Sequence, residues 1–407
     1  MRAAAQLGVR ARLGIDRCHV LAGAFSPESF PGVLSGSIAL DFRDPEGAAA
    51  AIASSGHSIA AIVPTDDLTA EIAARASFLL ELRGNSADAT YTARNKERMR
   101  EALHAARVPA PRVRAFSIDE SPERILEIAN FIPYPCVLKP LLLSTSRGVI
   151  RADDPDSFVA AWTRVRTLLS SPKMRAVEDP AGHRILVEEF IDGPEVALEG
   201  MLSSGNLRVL ALFDKPDPLD GPFFEETIYV TPSRHDAQVQ SAIEGVTAAA
   251  AQAIGISEGP VHAELRIRDG KPYVIEVAAR SIGGLCARTL RFGLGESSLE
   301  QIVIESALGR ASSDLNRTGA SGVMMIPVPG AGVLKAVHGV EDARAVSNIE
   351  DLVISVSVGE VLVPFPEGAS YPGFIFARAN LPEEVESALR QAHSCLRFDL
   401  AAQLPRS

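Results

Sequence analysis

Two glutamates, Glu264 and Glu276, stand in the stretch HAELRIRDGKPYVIEVAAR on either side of Asp269-Gly270, and Arg280 follows the second by four residues. An Asp-Gly pair between runs rich in Ile, Val, Leu and Tyr is a hairpin signal. Side chains alternate faces along a strand, so the parity of the loop decides whether the two carboxylates share a face. An odd loop, such as Arg268-Asp269-Gly270, makes them a cross-strand pair, and an even loop separates them. Facing carboxylates repel unless a cation lies between them. Mg²⁺ takes one or two carboxylates and completes its sphere with water and substrate phosphates, so it is the natural ion for such a pair, with Mn²⁺ as an alternative. The same residues also read as two solvated glutamates on an exposed strand.

Other stretches could serve the same chemistry. PCVLKP at 135–140 ends an apolar strand with Lys139, where an ammonium can meet a phosphate at the mouth of a sheet, and the loop LLLSTSRGV follows. In ILVEEFIDGPEVALEG at 185–200, Glu188 and Glu189 end a strand, a turn follows, and Glu195 opens the next strand. Such a hinge offers free backbone groups to an adenine edge and, seven residues on, a carboxylate to ribose hydroxyls; it also reads as an ordinary acidic turn. PTDD at 64–67 places Asp66 and Asp67 beyond the end of an apolar run, as rim residues or, more economically, as caps of a helix beginning near Leu68. The proline-rich segment 213–234 carries Lys215, Glu225, Glu226 and Arg234, and reads either as an acceptor-substrate loop or as a surface connection. No GxSxG and no Cys/His arrangement suggests a nucleophilic side chain.

Elements must hold these residues. Strands are expected at 15–22 and 59–64 with a helix at 46–55 between them, which argues for an open α/β unit over about 1–90. A helix is expected at 94–107, closed by the prolines of VPAP. Short strands at 136–139 and 185–190 around a helix at 155–169 suggest a small α+β lid over about 113–191. Strands at 195–202, 207–213, 261–268 and 272–278, with helices at 236–254 and 297–307, follow, and the last hundred residues mix strands and turns. Residues 3–8 resemble the tail of a helix leading into a strand. An opening strand and its glycine turn are therefore expected upstream of Met1, or else a partner covers an exposed sheet edge.

Composition narrows the function classes. With 407 residues, two or three domains are expected. Forty Lys and Arg against 51 Asp and Glu, a net charge of −11, argue against a nucleic-acid surface or an anionic membrane. No apolar run of about 18 residues predicts a membrane span. Cys18, Cys136, Cys286 and Cys395 lie far apart and form no zinc pattern, as expected of reduced thiols in a cytoplasmic protein.

Taken in order, Lys96 near a helix start, Lys139 on a strand, the hinge from Glu188 to Glu195, and then Glu264, Glu276 and Arg280 resemble the ATP-grasp superfamily over residues 90–310. The spacing of Glu276 and Arg280 and the Gly283-Gly284 pair resemble its L-amino-acid ligase and carboxylate–amine ligase branch most. The resemblance implies an α/β and α+β multidomain chain: an N-terminal Rossmann-like domain (1–90), an ATP-grasp domain (91–310) with its lid, and a C-terminal α+β extension (311–407). It implies ATP and Mg²⁺, with Lys96 and Lys139 on phosphates, the backbone of Glu189, Phe190 and Ile191 beside Glu188 on adenine, Glu195 on ribose, and Glu264 and Glu276 on metal. Ser144, Ser146 and Arg147 would cover the phosphates. Arg280 would contact an acyl phosphate or a substrate carboxylate. Two departures stand out: Ala278 replaces an asparagine that often supplies a metal ligand, and the phosphate loop has only Gly148. The implied reaction joins a small carboxylate and an amine, with a homodimer as the family-level expectation. A carboxylase or formyltransferase-like enzyme and a nucleotide-binding protein without turnover are the alternatives.

Overall fold

The computed structural model describes residues 1–16, 32–175, 177–310 and 315–402. At the N-terminus, strands Ala11–Asp16 and Leu34–Leu40 pair in parallel. The helix Pro45–Ala53 starts where Asp44 accepts from the Gly47 N–H and Pro45 supplies a preset φ. The first strand begins at Ala11 rather than at residue 15, and residues 17–22 of the expected strand lie outside the described residues. No strand forms over 59–64. A strand needs a ladder partner, and this run is instead held by side chains, with Ile59 and Ile62 packed on Leu40, Ala49, Ile52 and Ile72.

The expected helix at 94–107 is two helices, Ala87–Arg94 and Lys96–Ala105. Asn95, in extended conformation, breaks the run, and its side chain accepts from the Glu97 and Arg98 N–H groups. Lys96 is thereby fixed in the first turn of the second helix.

Four strands in the order Val113–Ser117, Arg184–Glu189, Cys136–Pro140 and Ile150–Ala152 form an antiparallel sheet. Helix Pro155–Leu169 begins at its expected residue, with a capping box between Asp154 and Ser157. Phe158 and Trp162 pack against Leu138, Ile185 and Val187 on the outer face of this sheet. That leaves the other face, with Val137, Lys139 and Glu188, toward a cavity.

An eight-stranded antiparallel sheet faces it, in the order Lys271–Ala278, Gly259–Arg268, Glu195–Ser203, Asn206–Lys215, Ile228–Thr231, Ala320–Met325, Gly373–Ala379, Ile349–Ile354. Helix Ala237–Ile254 covers part of one face through Ile243, Ala250 and Ile254. Its left-handed C-cap is Gly255, at φ 89°. Residues beyond 315 add the last three strands to this sheet and also form a separate three-stranded sheet, in the order Val361–Leu362, Gly332–His338, Arg397–Ala401; helix Pro382–Cys395 packs on the three added strands through Val385 and Leu389. Among the described residues, no helix is long and apolar enough to cross a membrane.

Candidate active site

The hairpin turn is the two-residue loop Asp269-Gly270, both residues with positive φ (52° and 72°), as a type I′ turn requires. The loop is even, so Arg268 faces Lys271 and Leu265 faces Val274, and by parity alone Glu264 and Glu276 would fall on opposite faces. A β-bulge between Leu265 and Glu264 inserts Ile275 as an extra residue and restores the match, making Glu264 and Glu276 direct cross-strand partners. The bulge thus supplies, with an even loop, the facing geometry that by parity alone needs an odd one.

Cations answer the repulsion. Lys96 Nζ lies 3.7 Å from Glu276 and donates to the Leu143 carbonyl at 2.7 Å, tying the helix start to the phosphate-side loop. Lys215 Nζ sits among three carboxylates, 2.6 Å from Glu195, 2.5 Å from Glu226 and 3.3 Å from Glu264. Burial alone would lower the Lys215 ammonium, but these carboxylates hold its pKa well above the ordinary lysine range. Burial raises and Lys215 and His262 lower the Glu264 carboxyl, which ends well below the usual carboxylate range. Glu226 is pushed up to about 7, chiefly by burial.

Glu188 does not stand free beside an adenine site. It is buried between Lys139, whose ammonium touches Oε1, and Arg100, whose Nη2 donates to Oε2 at 3.0 Å. Burial lowers the Lys139 pKa and Glu188 partly offsets it. Glu189 turns to the other side of the hinge, where Arg112 and Arg268 hold its carboxylate at 3.1 and 2.9 Å. The Phe190 N–H donates to the Pro135 carbonyl at 3.2 Å, and the Ile191 carbonyl accepts from Arg266 at 3.0 Å. Gly193, at φ 96°, lets the hinge pass so close that a Cβ there would lie 2.1 Å from the Ile267 carbonyl oxygen.

One cavity of roughly 400 Å³ collects Lys96, Lys139, Glu188, Glu195, Glu264, Glu276 and Arg280, with Ser144, Ser146 and Phe190 along its wall. Arg147 is not brought there. Thr145 and Ser146 take φ of 55° and 52°, Gly148 N–H donates to the Pro366 carbonyl at 2.7 Å, and Arg147 Nε donates to the Glu367 carbonyl. The loop is thus docked on the C-terminal segment, with Arg147 pointing into the dock. A larger groove of about 1060 Å³ behind the hinge holds Glu189 but neither phosphate-side lysine and neither hairpin glutamate.

Two charged residues of this site, Arg266 and Arg100, escaped the sequence reading. Arg266 stands two residues after Glu264, hence on the same face, and pairs with Glu195 at 2.9 Å; a period-two count from Glu264 would have found it. His262 sits between Glu199 at 2.5 Å and Glu264 at 3.4 Å, and these carboxylates overcome burial to raise it to about 9. Arg100 left no local signal. Of the two PTDD aspartates, Asp66 caps its helix by accepting from the Thr69 N–H at 2.8 Å, whereas Asp67 pairs with Arg280.

The donor set can be tested against a divalent ion. Glu264 and Glu276 offer hard carboxylate oxygens on one face of one cavity, which fits Mg²⁺ shared with phosphate oxygens. Glu195, Glu226 and Glu264 offer atoms within 4.8 Å of one another, but the Lys215 ammonium already lies among them.

Two family models match this chain: the ATP-grasp domain over residues 132–289 and the L-amino acid ligase C-terminal domain 2 over residues 324–401. Alanine–anticapsin ligase of Bacillus subtilis (strain 168) is 28% identical over 240 residues, 55% of this chain and 48% of that protein. D-alanine–D-alanine ligase of Methylibium petroleiphilum is 28% identical over 203 residues, 48% of this chain and 59% of that protein. The chain spans about half the length of the curated relatives it matches. Among solved structures, the L-amino acid ligase from Bacillus licheniformis superposes with a TM-score of 0.84 at 26% identity, over 98% of this chain and 95% of that one. Phosphoribosylglycinamide synthetase from Anaerococcus prevotii, at 14% identity and a TM-score of 0.67 over 98% of this chain and 95% of that one, shares the fold.

Proposed function

Because the chain belongs to the ATP-grasp superfamily and resembles its L-amino-acid ligase branch, we propose that it is an ATP-dependent carboxylate–amine ligase acting on small, amino-acid-like substrates. The observation that carries this reading is the convergence of two lysines, two facing glutamates and an arginine on one cavity between two sheets. The γ-phosphoryl of ATP moves to a substrate carboxylate, giving ADP and an acyl phosphate; the amine then attacks the carbonyl and expels phosphate. Phosphoryl transfer asks the protein mainly for positioning and charge stabilisation. Lys96 and Lys139 hold phosphate oxygens, and Glu188 keeps the Lys139 side chain in place. The hinge at Glu189 to Ile191 faces the base, and Glu195 the ribose. Glu264 and Glu276 hold Mg²⁺, which when bound neutralises charge on the phosphates. Arg280 orients the carboxylate that accepts the phosphoryl group. The docked loop at 144–149 excludes water from the acyl phosphate.

The domain limits at about 90 and 310 are part of the same proposal, as is a cytoplasmic setting, which the free thiols of Cys136, Cys286 and Cys395 support. The test is phosphate release from ATP and Mg²⁺ against a matrix of carboxylates and amines. Release that requires both partners, and that falls at least about 100-fold in Glu276→Gln, supports the ligase. Release stimulated by bicarbonate or formate and not by amino acids would overturn it, as would ATP binding without release across the matrix.

A further inference from the structure

Arg280 does not reach the cavity as a free side chain. Its Nε lies 2.8 Å from Asp67 Oδ1 and its Nη2 3.0 Å from Asp67 Oδ2, a two-point fork along one edge of the guanidinium. Nη1 also donates to the Ser281 carbonyl at 3.0 Å. A guanidinium has five N–H donors in one plane, so the fork and the Ser281 bond together leave one on each terminal nitrogen and fix their direction. Arg280 lines the cavity beside Glu276, whereas Asp67 does not line it and stands behind the arginine. Asp67 is itself anchored: it is the first residue of helix Asp67–Leu79, and the preceding Asp66 is locked by a capping box with Thr69.

Arg280 has two other carboxylates within electrostatic reach, Glu276 and Glu199. Without Asp67 the guanidinium would turn toward Glu276 and neutralise a ligand of the proposed metal. Resting on the ligase reading above, we propose that Asp67 of the N-terminal domain is a positioning residue that aims Arg280 at the carboxylate being phosphorylated and keeps it off Glu276. The N-terminal domain thereby takes part in the chemistry without touching substrate.

The experiment is a double-mutant cycle on the full chain with Asp67→Ala, Asp67→Asn, Arg280→Ala and both double variants. Asp67→Ala should lower kcat/KM for the carboxylate about 10- to 100-fold, with KM for ATP unchanged, because a small misplacement at the reacting centre costs rate on that scale. Asp67→Asn, which keeps the shape and one acceptor, should retain more activity. In the Arg280→Ala background either change should cost less than about twofold, since the residue it acts through is gone. Activity of Asp67→Ala within twofold of the parent, or an equal loss in both backgrounds, would overturn the inference. A second readout does not depend on turnover: the Arg280 Nε–H resonance, assigned by its disappearance in Arg280→Lys, should exchange slowly with solvent in the parent and rapidly in Asp67→Ala. If no substrate pair releases phosphate, the ligase reading has failed; slow exchange kept in Asp67→Ala then overturns the inference, and its loss upholds the positioning.

Discussion

Replacing Lys215 by methionine removes the ammonium from a balanced charge cluster. Glu195, Glu226 and Glu264 are compensated by Lys215, by Arg266 on Glu195, and by His262 on Glu264. The lysine side chain is 3% exposed and the three glutamates between 8% and 20%, so water does little to replace it. Breaking a buried pair by removing one partner leaves an uncompensated charge and costs about 3–5 kcal/mol. In urea denaturation at pH 8, Lys215→Met should show a deficit of that size. It should shrink as the pH falls toward 7, because Glu226, raised to about 7 by burial even with Lys215 holding it down, takes up its proton at a higher pH once the ammonium is gone and relieves the repulsion. The emptied centre is then surrounded by three carboxylate oxygens within 4.8 Å of one another. Mn²⁺ at about 100 times its Kd should return about 2.7 kcal/mol to the variant and much less to the parent, where the ammonium competes. Unchanged urea midpoints, or equal stabilisation of both proteins by Mn²⁺, would refute the view that Lys215 fills the place of an ion.

Glu188→Gln should destabilise the lid by about 3–5 kcal/mol in urea, since Lys139 and Arg100 lose their shared buried counter-ion, and should weaken ADP binding measured by calorimetry. Gly193→Ala should cost at least about 1–3 kcal/mol by the same melts, because its φ of 96° and the Ile267 carbonyl leave no room for a Cβ. His262 has a native pKa of about 9 against an unfolded value near 6.5: burial works against the charged ring, and Glu199 and Glu264 outweigh it. Its contribution to stability is therefore complete below pH 6.5 and lost as the pH rises through about 9. His262→Gln should flatten the urea midpoint over that interval, and an unchanged slope would contradict the assignment.

Much was legible in the residues alone because the signals are local. Helix Pro155–Leu169 announces itself through Asp154, Pro155 and Ser157, and the hairpin through Asp269-Gly270, since caps and type I′ turns are built by residues a few positions apart. The run 59–64 shows the limit of such reading: its pattern is that of a buried strand, but a strand exists only with a partner, and the run packs by side chains.

The order of the lysines, hinge, glutamates and arginine along the chain could be read as a site, because types and spacing along one chain are enough to pose that question. How the site closes could not. The bulge at Ile275, which puts Glu264 opposite Glu276, changes parity without changing composition. Lys215 among three carboxylates, Arg100 on Glu188 and Asp67 on Arg280, the last pair 213 residues apart, are meetings of distant segments. Such pairs form because burial leaves a charge no alternative to the nearest opposite one. Which one is nearest depends on how the sheets and helices pack, and no local periodicity carries that information.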